Sequence, residues 1–323
     1  MTTQFLAEPW PGDDIRKAFA DISPDNPFNT WAYAAARAVA GVEPWSLAVV
    51  RGQELDAGCY GFLRRGRISS RLEVHSLPEL QPETPFWEGL VRLCDEQKID
   101  ELQINSFGSS SAKIPLLRRE LERRDRCEFR LHLTKPSLWQ DFSSNHKRNI
   151  KRAKKAEMAL VQCGDAEAAA VHAEVQVKSM RRREARGEQV SLAADPGPSR
   201  ALIDHGAGQL FQAIWNGQVV SSLLVLRAAK GAYYHSAGST PEGMASGAAH
   251  FLVSAVAERL RDEGLELFNL GGAGSADDGL ARFKSGFGAE PTKLVAARFL
   301  VCPPLRRVLY VVGKAVRPLM GRG

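Results

Sequence analysis

Leu210-Phe-Gln-Ala-Ile-Trp-Asn-Gly-Gln-Val-Val-Ser-Ser-Leu-Leu-Val-Leu226, continued by Arg-Ala-Ala-Lys-Gly-Ala-Tyr-Tyr-His-Ser236, is the stretch that decides the fold. Apolar and β-branched runs are cut by Asn216-Gly217 and Lys230-Gly231. Asn-Gly marks a tight hairpin because both positions tolerate positive φ. The pattern predicts three antiparallel strands at 210–215, 218–226 and 232–236. A similar meander lies upstream at 45–51, 57–63 and 67–75, with turns at Arg51-Gly52 and Arg65-Gly66. Gly52-Gln53 and Gly66 stand 165 residues before Gly217-Gln218 and Gly231, so strand length and turn spacing agree. Duplication of one unit accounts for this, although any two three-strand meanders share some of it.

Around each meander the order repeats. The first is followed by a predicted helix at 86–97, a short strand at 101–104, a helix at 114–124 and a strand at 129–133; the second by a helix at 247–261, a strand at 266–270, a helix at 280–287 and a strand at 293–300. Such alternation predicts α/β (α+β) layers, each a mixed sheet flanked by helices. Pro136 punctuates the stretch between Thr134 and Ser137, which divides the chain into 1–135 and 136–323.

The 323 residues are 44% apolar and 25% charged, with 43 basic against 37 acidic side chains and a net charge of +6. This is a globular composition with a mild basic excess. The first nineteen residues carry Glu8, Asp13 and Asp14, where a secretory signal would be apolar, and no uncharged run reaches the roughly 18 residues of a membrane helix. The expected address is cytoplasmic. Cys59, Cys94, Cys127, Cys163 and Cys302 are scattered and form no C-x-x-C pair, so no zinc site or disulfide framework is expected and all five read as small buried hydrophobes. The C-terminal 303–319 segment alternates basic with apolar residues, which suits a packed terminal helix or a peripheral membrane contact.

The basic excess concentrates in Asn145-His-Lys-Arg-Asn-Ile-Lys-Arg-Ala-Lys-Lys-Ala-Glu157. At helical spacing Lys147, Arg148, Lys151, Arg152, Lys154 and Lys155 share one side, with Phe142, Ile150 and Ala153 on the other; Ser143 or Ser144 is the predicted cap. A solvated face is the ordinary meaning of a charge run. Like charges four residues apart repel, however, so this density also suits an anionic partner. Arg181, Arg182, Arg183 and Arg186 form a second cluster at a predicted helix end, where the dipole favours cations. No aromatic platform, helix-turn-helix or zinc spacing accompanies the charge, so DNA binding is not expected.

Downstream, Phe268-Asn-Leu-Gly-Gly-Ala-Gly places glycines after a short strand without a G-x-G-x-x-G or Walker pattern, and Leu280-Ala-Arg-Phe-Lys-Ser-Gly-Phe-Gly288 follows. Lys284 in this glycine-flanked, largely apolar turn is either a surface lysine beside two core phenylalanines or a fixed cation able to stabilise an oxyanion.

The basic helix, Tyr233-Tyr-His-Ser-Ala-Gly238, Ser246-Gly-Ala-Ala-His-Phe-Leu252, Glu263-Gly-Leu-Glu-Leu-Phe-Asn-Leu-Gly-Gly272 and the Phe283-Lys-Ser-Gly-Phe-Gly288 segment, in this order, resemble the Fem-type transferases, an acetyltransferase-like branch of the GNAT superfamily. The resemblance spans 31–300 in layout, with the sharp matches in the second half. It implies two tandem acetyltransferase-like (GNAT) domains that transfer an acyl or aminoacyl group to an amine without metal. In bridge-forming members the donor is an aminoacyl-tRNA and the acceptor a peptidoglycan precursor; others serve polysaccharide or natural-product biosynthesis. The paired-helix arm of some bridge-forming members is absent from this sequence. Lys284 matches the motif lysine, and Arg148 and Arg152 match basic positions able to hold phosphates. Asn269 stands where relatives often have Asp. The superfamily's pyrophosphate loop is matched at Gly247 and Ala249, but Met244 replaces its Gln or Arg.

The resulting expectation gives Lys284 the oxyanion role and Tyr234 and His235 substrate contact or a proton path, with a satisfied, partly buried histidine as the alternative for His235. Lys147, Arg148, Lys151, Arg152, Asn269, Arg282, Phe283, Ser246 and Gly247 would hold substrate or phosphates. No tightly bound cofactor is expected. The co-substrate would be an aminoacyl-tRNA or, alternatively, acyl-CoA; the acceptor would be an anionic or lipid-linked amine, an amino sugar or an amino-bearing metabolite. A binding module without turnover is the third reading.

Overall fold

Asn216 and Gly217 take φ values of 50° and 72°, the two left-handed positions of a type I′ turn, so the hairpin closes as the sequence predicts. In this computed structural model the described residues are 2–67, 69–80, 85–110, 113–185, 187, 190–273 and 279–302. Arg186, the 274–278 part of the glycine loop and the 303–319 segment lie outside them. The strands are β1 (Thr3–Pro9), β2 (Glu43–Arg51), β3 (Glu54–Arg65), β4 (Ser70–Val74), β5 (Glu101–Ile104), β6 (Arg119–His132), β7 (Ala159–Cys163), β8 (Gly208–Trp215), β9 (Gln218–Arg227), β10 (Gly231–Ser239), β11 (Leu267–Ala273) and β12 (Glu290–Leu300). The helices are α1 (Asp13–Ile22), α2 (Trp31–Ala38), α3 (Phe86–Glu96), α4 (Leu138–Asp141), α5 (Ser144–Lys155), α6 (Ala166–Glu184), α7 (Gly197–Asp204), α8 (Pro241–Ser246), α9 (Ala248–Asp262) and α10 (Gly279–Ser285), with a 3-10 turn at Pro27–Asn29.

Two compact units divide the chain, each discontinuous in sequence. The first runs to Ser23, from Arg37 to Arg126 and onward from Lys293; the second takes Pro24–Ala36 and Cys127–Thr292. The 135/136 division of the sequence falls inside the second unit, between β6 and α4.

In the first unit the strand order is β1-β2-β3-β4-β5-β12, parallel between β4 and β5 and antiparallel elsewhere. Its core gathers Leu47, Leu63 and Leu72 of the meander, Phe86 and Leu90 of α3, and Phe299 of β12. In the second unit the order is β6-β11-β10-β9-β8-β7, parallel between β10 and β11 and otherwise antiparallel. Its core joins Phe211, Leu223 and Val225 of the meander to Leu252 and Val256 of α9 and Ile150 of α5. Each unit therefore draws its closing strand from the other half of the sequence: β12 pairs with β5, and β6 with β11.

The helix expected at 114–124 does not form; β6 begins at Arg119. Helix-prone Glu, Leu and Arg residues are overridden there by tertiary pairing. Pro115 lacks an amide donor, and Arg118 adopts a left-handed φ of 47° while its guanidinium bonds Asp95 and the Val301 carbonyl. Ile114 and Leu117 are buried in the first core as single anchors while Leu116 is 72% exposed, which is no helical stripe. A second correction concerns the cysteines: Cys59, Cys94 and Cys302 are buried, but Cys127 and Cys163 are only half-buried. Among the described residues no helix is long and apolar enough to cross a membrane, and no three His, Cys, Asp or Glu side chains gather to hold a metal ion.

Candidate active site

The site begins where two parallel strands part. β10 and β11 pair only at Gly231–Leu267, Ala232–Phe268 and Tyr233–Asn269, although β10 continues to Ser239 and β11 to Ala273. Both strands bulge at this level, β10 between Tyr234 and Ser236 against β9, and β11 between Asn269 and Gly272 against β6. A bulge bends its strand and releases backbone groups from the ladder. Two neighbouring bulges thus open a notch lined by peptide groups.

Lys284 of α10 serves this notch. It is 4% exposed, its Nζ donates to the Gly272 carbonyl at 2.5 Å, and the ammonium stands 5.7 Å from the Tyr234 ring centroid. Burying an ammonium is costly unless such partners offset the lost water. The side chain is therefore held rather than solvated. Tyr234 is half-buried, and desolvation raises its phenol above the ordinary tyrosine range, so it stays protonated at neutral pH.

Behind the notch, Glu128 of β6 is fully buried and accepts from the Tyr233 hydroxyl at 2.8 Å and the Asn269 amide at 2.9 Å. Asn269 Oδ1 accepts from the Gly271 N–H at 2.8 Å, which fixes the bulge. An aspartate at 269 would face a second carboxylate. The amide is what fits, and the carboxylate at this level comes from β6. Neither spacing nor composition pointed to Glu128, because β6 reaches the site from a distant part of the sequence.

His235 is the extra residue of the β10 bulge, where the register against β9 shifts, and is exposed. It stands within electrostatic reach of His172 of α6, whose ring nitrogens lie 2.8 Å from Ser222 Oγ and 3.0 Å from Ser236 Oγ. Desolvation, reinforced by His235, lowers His172 to about 4. Of the three expected catalytic residues, Tyr234 and Lys284 are brought together, and His235 sits beside His172.

A cavity of about 220 Å³ opens against the same wall, lined by Tyr234 and Ala237 of β10, Leu252 of α9, Phe283 of α10, and Ser179 and Arg182 of α6. Arg182 Nη2 donates to the Ser239 carbonyl at 2.7 Å and to Ser179 Oγ at 3.0 Å. The sequence grouped Arg182 with its neighbours as a helix-end cluster. Only its angular position separates it from the exposed Arg181 and Arg183.

Ser143 caps α5, its side chain accepting from the His146 N–H. His146, Ile150 and Ala153 are buried, and with Ile150 fully enclosed this face contributes roughly 2 kcal/mol from that side chain alone. On the outer side, Lys147 Nζ donates to the Gln140 carbonyl at 3.0 Å and Arg148 to Asn145 Oδ1 at 2.7 Å. Arg152 Nη1 donates to the Ala245 carbonyl at 2.9 Å, which places it beside the α8–α9 junction. Among the described residues no carboxylate pairs with Lys147, Arg148, Lys151, Arg152, Lys154 or Lys155. At the junction Gly247 has a φ of 82°, and a Cβ there would lie 2.6 Å from the Asn149 carbonyl oxygen. Ser246 Oγ donates to the Gly243 carbonyl at 3.2 Å, and Arg282 is exposed.

Residues 140–285 match the family model of an acetyltransferase (GNAT) domain. No curated protein matches the chain. Among solved structures the chain is similar to the crystal structure of FemX, with 14% identity, 95% of this chain and 99% of that chain covered, and a TM-score of 0.68. It is also similar to a tandem GNAT protein from the clavulanic acid biosynthesis pathway, at 12% identity, 94% and 99% coverage and a TM-score of 0.57. A third similar structure is the C-terminal domain of a putative lysylphosphatidylglycerol synthetase from Agrobacterium fabrum, at 11% identity, 94% and 96% coverage and a TM-score of 0.53. At such identities these likenesses concern the fold.

Proposed function

We propose that this chain, whose residues 140–285 match the acetyltransferase (GNAT) domain model and whose fold is similar to that of FemX, is an aminoacyl-tRNA-dependent acyltransferase that moves an aminoacyl group onto an amine. The acceptor would be a peptidoglycan-precursor-like or natural-product molecule, and the product an amide. The observation that carries this reading is the buried Lys284 ammonium, fixed at the Gly272 carbonyl where β10 and β11 part. As the amine nitrogen bonds to the ester carbonyl carbon, negative charge grows on the carbonyl oxygen. Lys284 meets it with a preorganised positive charge in a site largely closed to water. The C–O bond to the tRNA ribose then breaks, and the leaving ribose oxygen takes up the one proton that the amine loses, relayed by way of His235. Tyr234 and Phe283 form the wall against which the aminoacyl group is oriented, and orientation alone is worth roughly 7 kcal/mol or more in well-placed pairs.

The six cations of α5 support tRNA as donor. A helix of 12 residues is about 18 Å long, and cations along its whole outer face suit several phosphates of an RNA strand better than one pyrophosphate. The left-handed Gly247 turn at the start of α9, with Arg152 beside it, favours acyl-CoA as the second reading, because helix amides bind phosphates. A tRNA donor would place the reaction in the cytoplasm. Incubation with charged tRNA and with acyl-CoA, followed by mass spectrometry of both, separates the readings. Deacylation of tRNA that ribonuclease abolishes and salt steeply weakens is the expected result; acyl loss from CoA alone would select the alternative.

A further inference from the structure

The inner face of α5 carries one polar side chain, His146, and it is 3% exposed. Its Nε2 lies 2.8 Å from the Phe283 carbonyl oxygen of α10, and its Nδ1 lies 2.8 Å from Ser143 Oγ. A carbonyl only accepts, so the ring is the Nε2–H tautomer, and Nδ1 accepts from the Ser143 hydroxyl. At the end of α10 the Phe287 N–H turns to the Lys284 carbonyl and the Gly286 N–H to the Arg282 carbonyl. The Phe283 carbonyl is thereby one of the orphan acceptors that a helix end leaves, and His146 supplies its donor.

The phenylalanine–lysine–glycine segment is shaped around this ring. A Cβ on Gly286 would fall 2.1 Å from His146 Cε1, so only glycine leaves the imidazole its place. Phe287 meets the ring edge-on at 4.4 Å between centroids, and His250 does so at 4.6 Å. Desolvation lowers both histidines, His250 to about 4, so both are neutral at pH 7. α10 has seven residues, too few to hold its own geometry in water.

We propose that His146 is the positioning residue for Lys284, fixing the Phe283–Lys284 peptide through its Nε2–H so that the ammonium reaches the Gly272 carbonyl and the notch. One helix thus presents cations on its outer side and sets the reactive lysine from its inner side. The proposal rests on Lys284 as the oxyanion-stabilising group.

The test compares His146→Leu, which fills the volume without a donor, with His146→Gln, whose side-chain amide restores one. Two readouts are taken: the steady-state transfer rate, and the labelling of Lys284 by an acetyl N-hydroxysuccinimide ester, followed by peptide mass spectrometry on the ligand-free chain. Expected are a tenfold or greater fall in kcat for His146→Leu with KM for the donor within twofold, labelling several-fold faster, and recovery of most of both in His146→Gln. Unchanged labelling in folded His146→Leu would overturn the proposal, whatever the rate does. Faster labelling with an unchanged transfer rate would uphold the positioning role and remove Lys284 from the chemistry. Should His146→Leu not fold, nitrogen-15 NMR of the wild-type ring decides: the Nε2–H tautomer supports the proposal, and Nδ1–H refutes it.

Discussion

The two units share a meander at an offset of 165 residues, yet among the described residues their parallel strand pairs differ: the pair in the second unit parts into a notch. In the first, β4 and β5 pair from Arg71–Glu101 through Val74–Ile104, and the ladder continues as the Asn105 N–H donates to Val74 and the Phe107 N–H to His75. In the second, the equivalent β10 and β11 stop at Tyr233–Asn269 and both bulge. Ser106 occupies the place of Gly271 and keeps its left-handed φ, 54° against 73°, while its hydroxyl ties to the Val295 carbonyl at 2.6 Å. α10 has no helical counterpart, since Arg118 breaks the chain's course there. A duplicated unit becomes a site through unpaired strands and an added helix, and becomes scaffold where the ladder runs on.

The largest expected effect lies at the position where the repeat diverges most. Lys284→Ala should lower the transfer rate about 100-fold or more with the fold retained, whereas Ala at the offset-equivalent Arg119, an exposed strand residue, should leave the rate within twofold. Steady-state kinetics on the two variants checks both; equal losses would mean that the comparison misplaces the chemistry.

Asn269→Asp comes next. It sets a second carboxylate beside the buried Glu128 and should cost roughly 3 kcal/mol near neutral pH. One proton shared by the pair relieves the repulsion, so urea unfolding should recover part of the loss toward pH 5. A cost that does not change with pH would point to packing instead.

How much of this was legible follows from where the signals are stored. Asn216-Gly217 and the offset glycines announced the meanders because turn chemistry is local. α5 was readable with its buried face because its periodicity is local too. Lys284 was readable through its motif. Glu128 and Arg182 were not, since Glu128 arrives on a strand contributed from the other half of the sequence and Arg182 differs from its neighbours only in the angle at which it leaves α6. The missing helix at 114–124 is non-local in the same way: Arg118 is held by Asp95 and the Val301 carbonyl, partners that residue preferences alone do not reveal.

Acid should weaken the second unit more than the first. His172 is fully buried between two serine hydroxyls, with desolvation lowering it to about 4, whereas His75 of the first unit, also lowered by desolvation, bonds the Glu73 carboxylate, which offsets part of that lowering. Below pH 6.5 the unfolded chain protonates His172's imidazole while the folded chain does not, so stability present at neutral pH is lost as pH falls toward 4. The contribution approaches roughly 3 kcal/mol. Urea unfolding of His172→Gln should show a shallower fall across that window than wild type, and His75→Gln should change the fall less; matching curves for His172→Gln and wild type would remove His172 as the cause.

The smallest expected effect tests the turns from which the repeat was read. Gly217 has a φ of 72°, and a Cβ there would meet no atom within 4 Å, so the cost of Gly217→Ala is conformational alone, about 1 kcal/mol. Gly52 has a φ of 67°, and Gly52→Ala should cost nearly the same by urea unfolding. Gly231 shows what a steric requirement looks like by contrast, since its Cβ would fall 1.9 Å from the Asp25 carbonyl oxygen. If Gly52→Ala proved neutral while Gly217→Ala was not, the first turn would tolerate the strain that the second cannot. The agreement in spacing would then have outlived the agreement in backbone energetics, with the hairpin bordering the notch as the stricter copy.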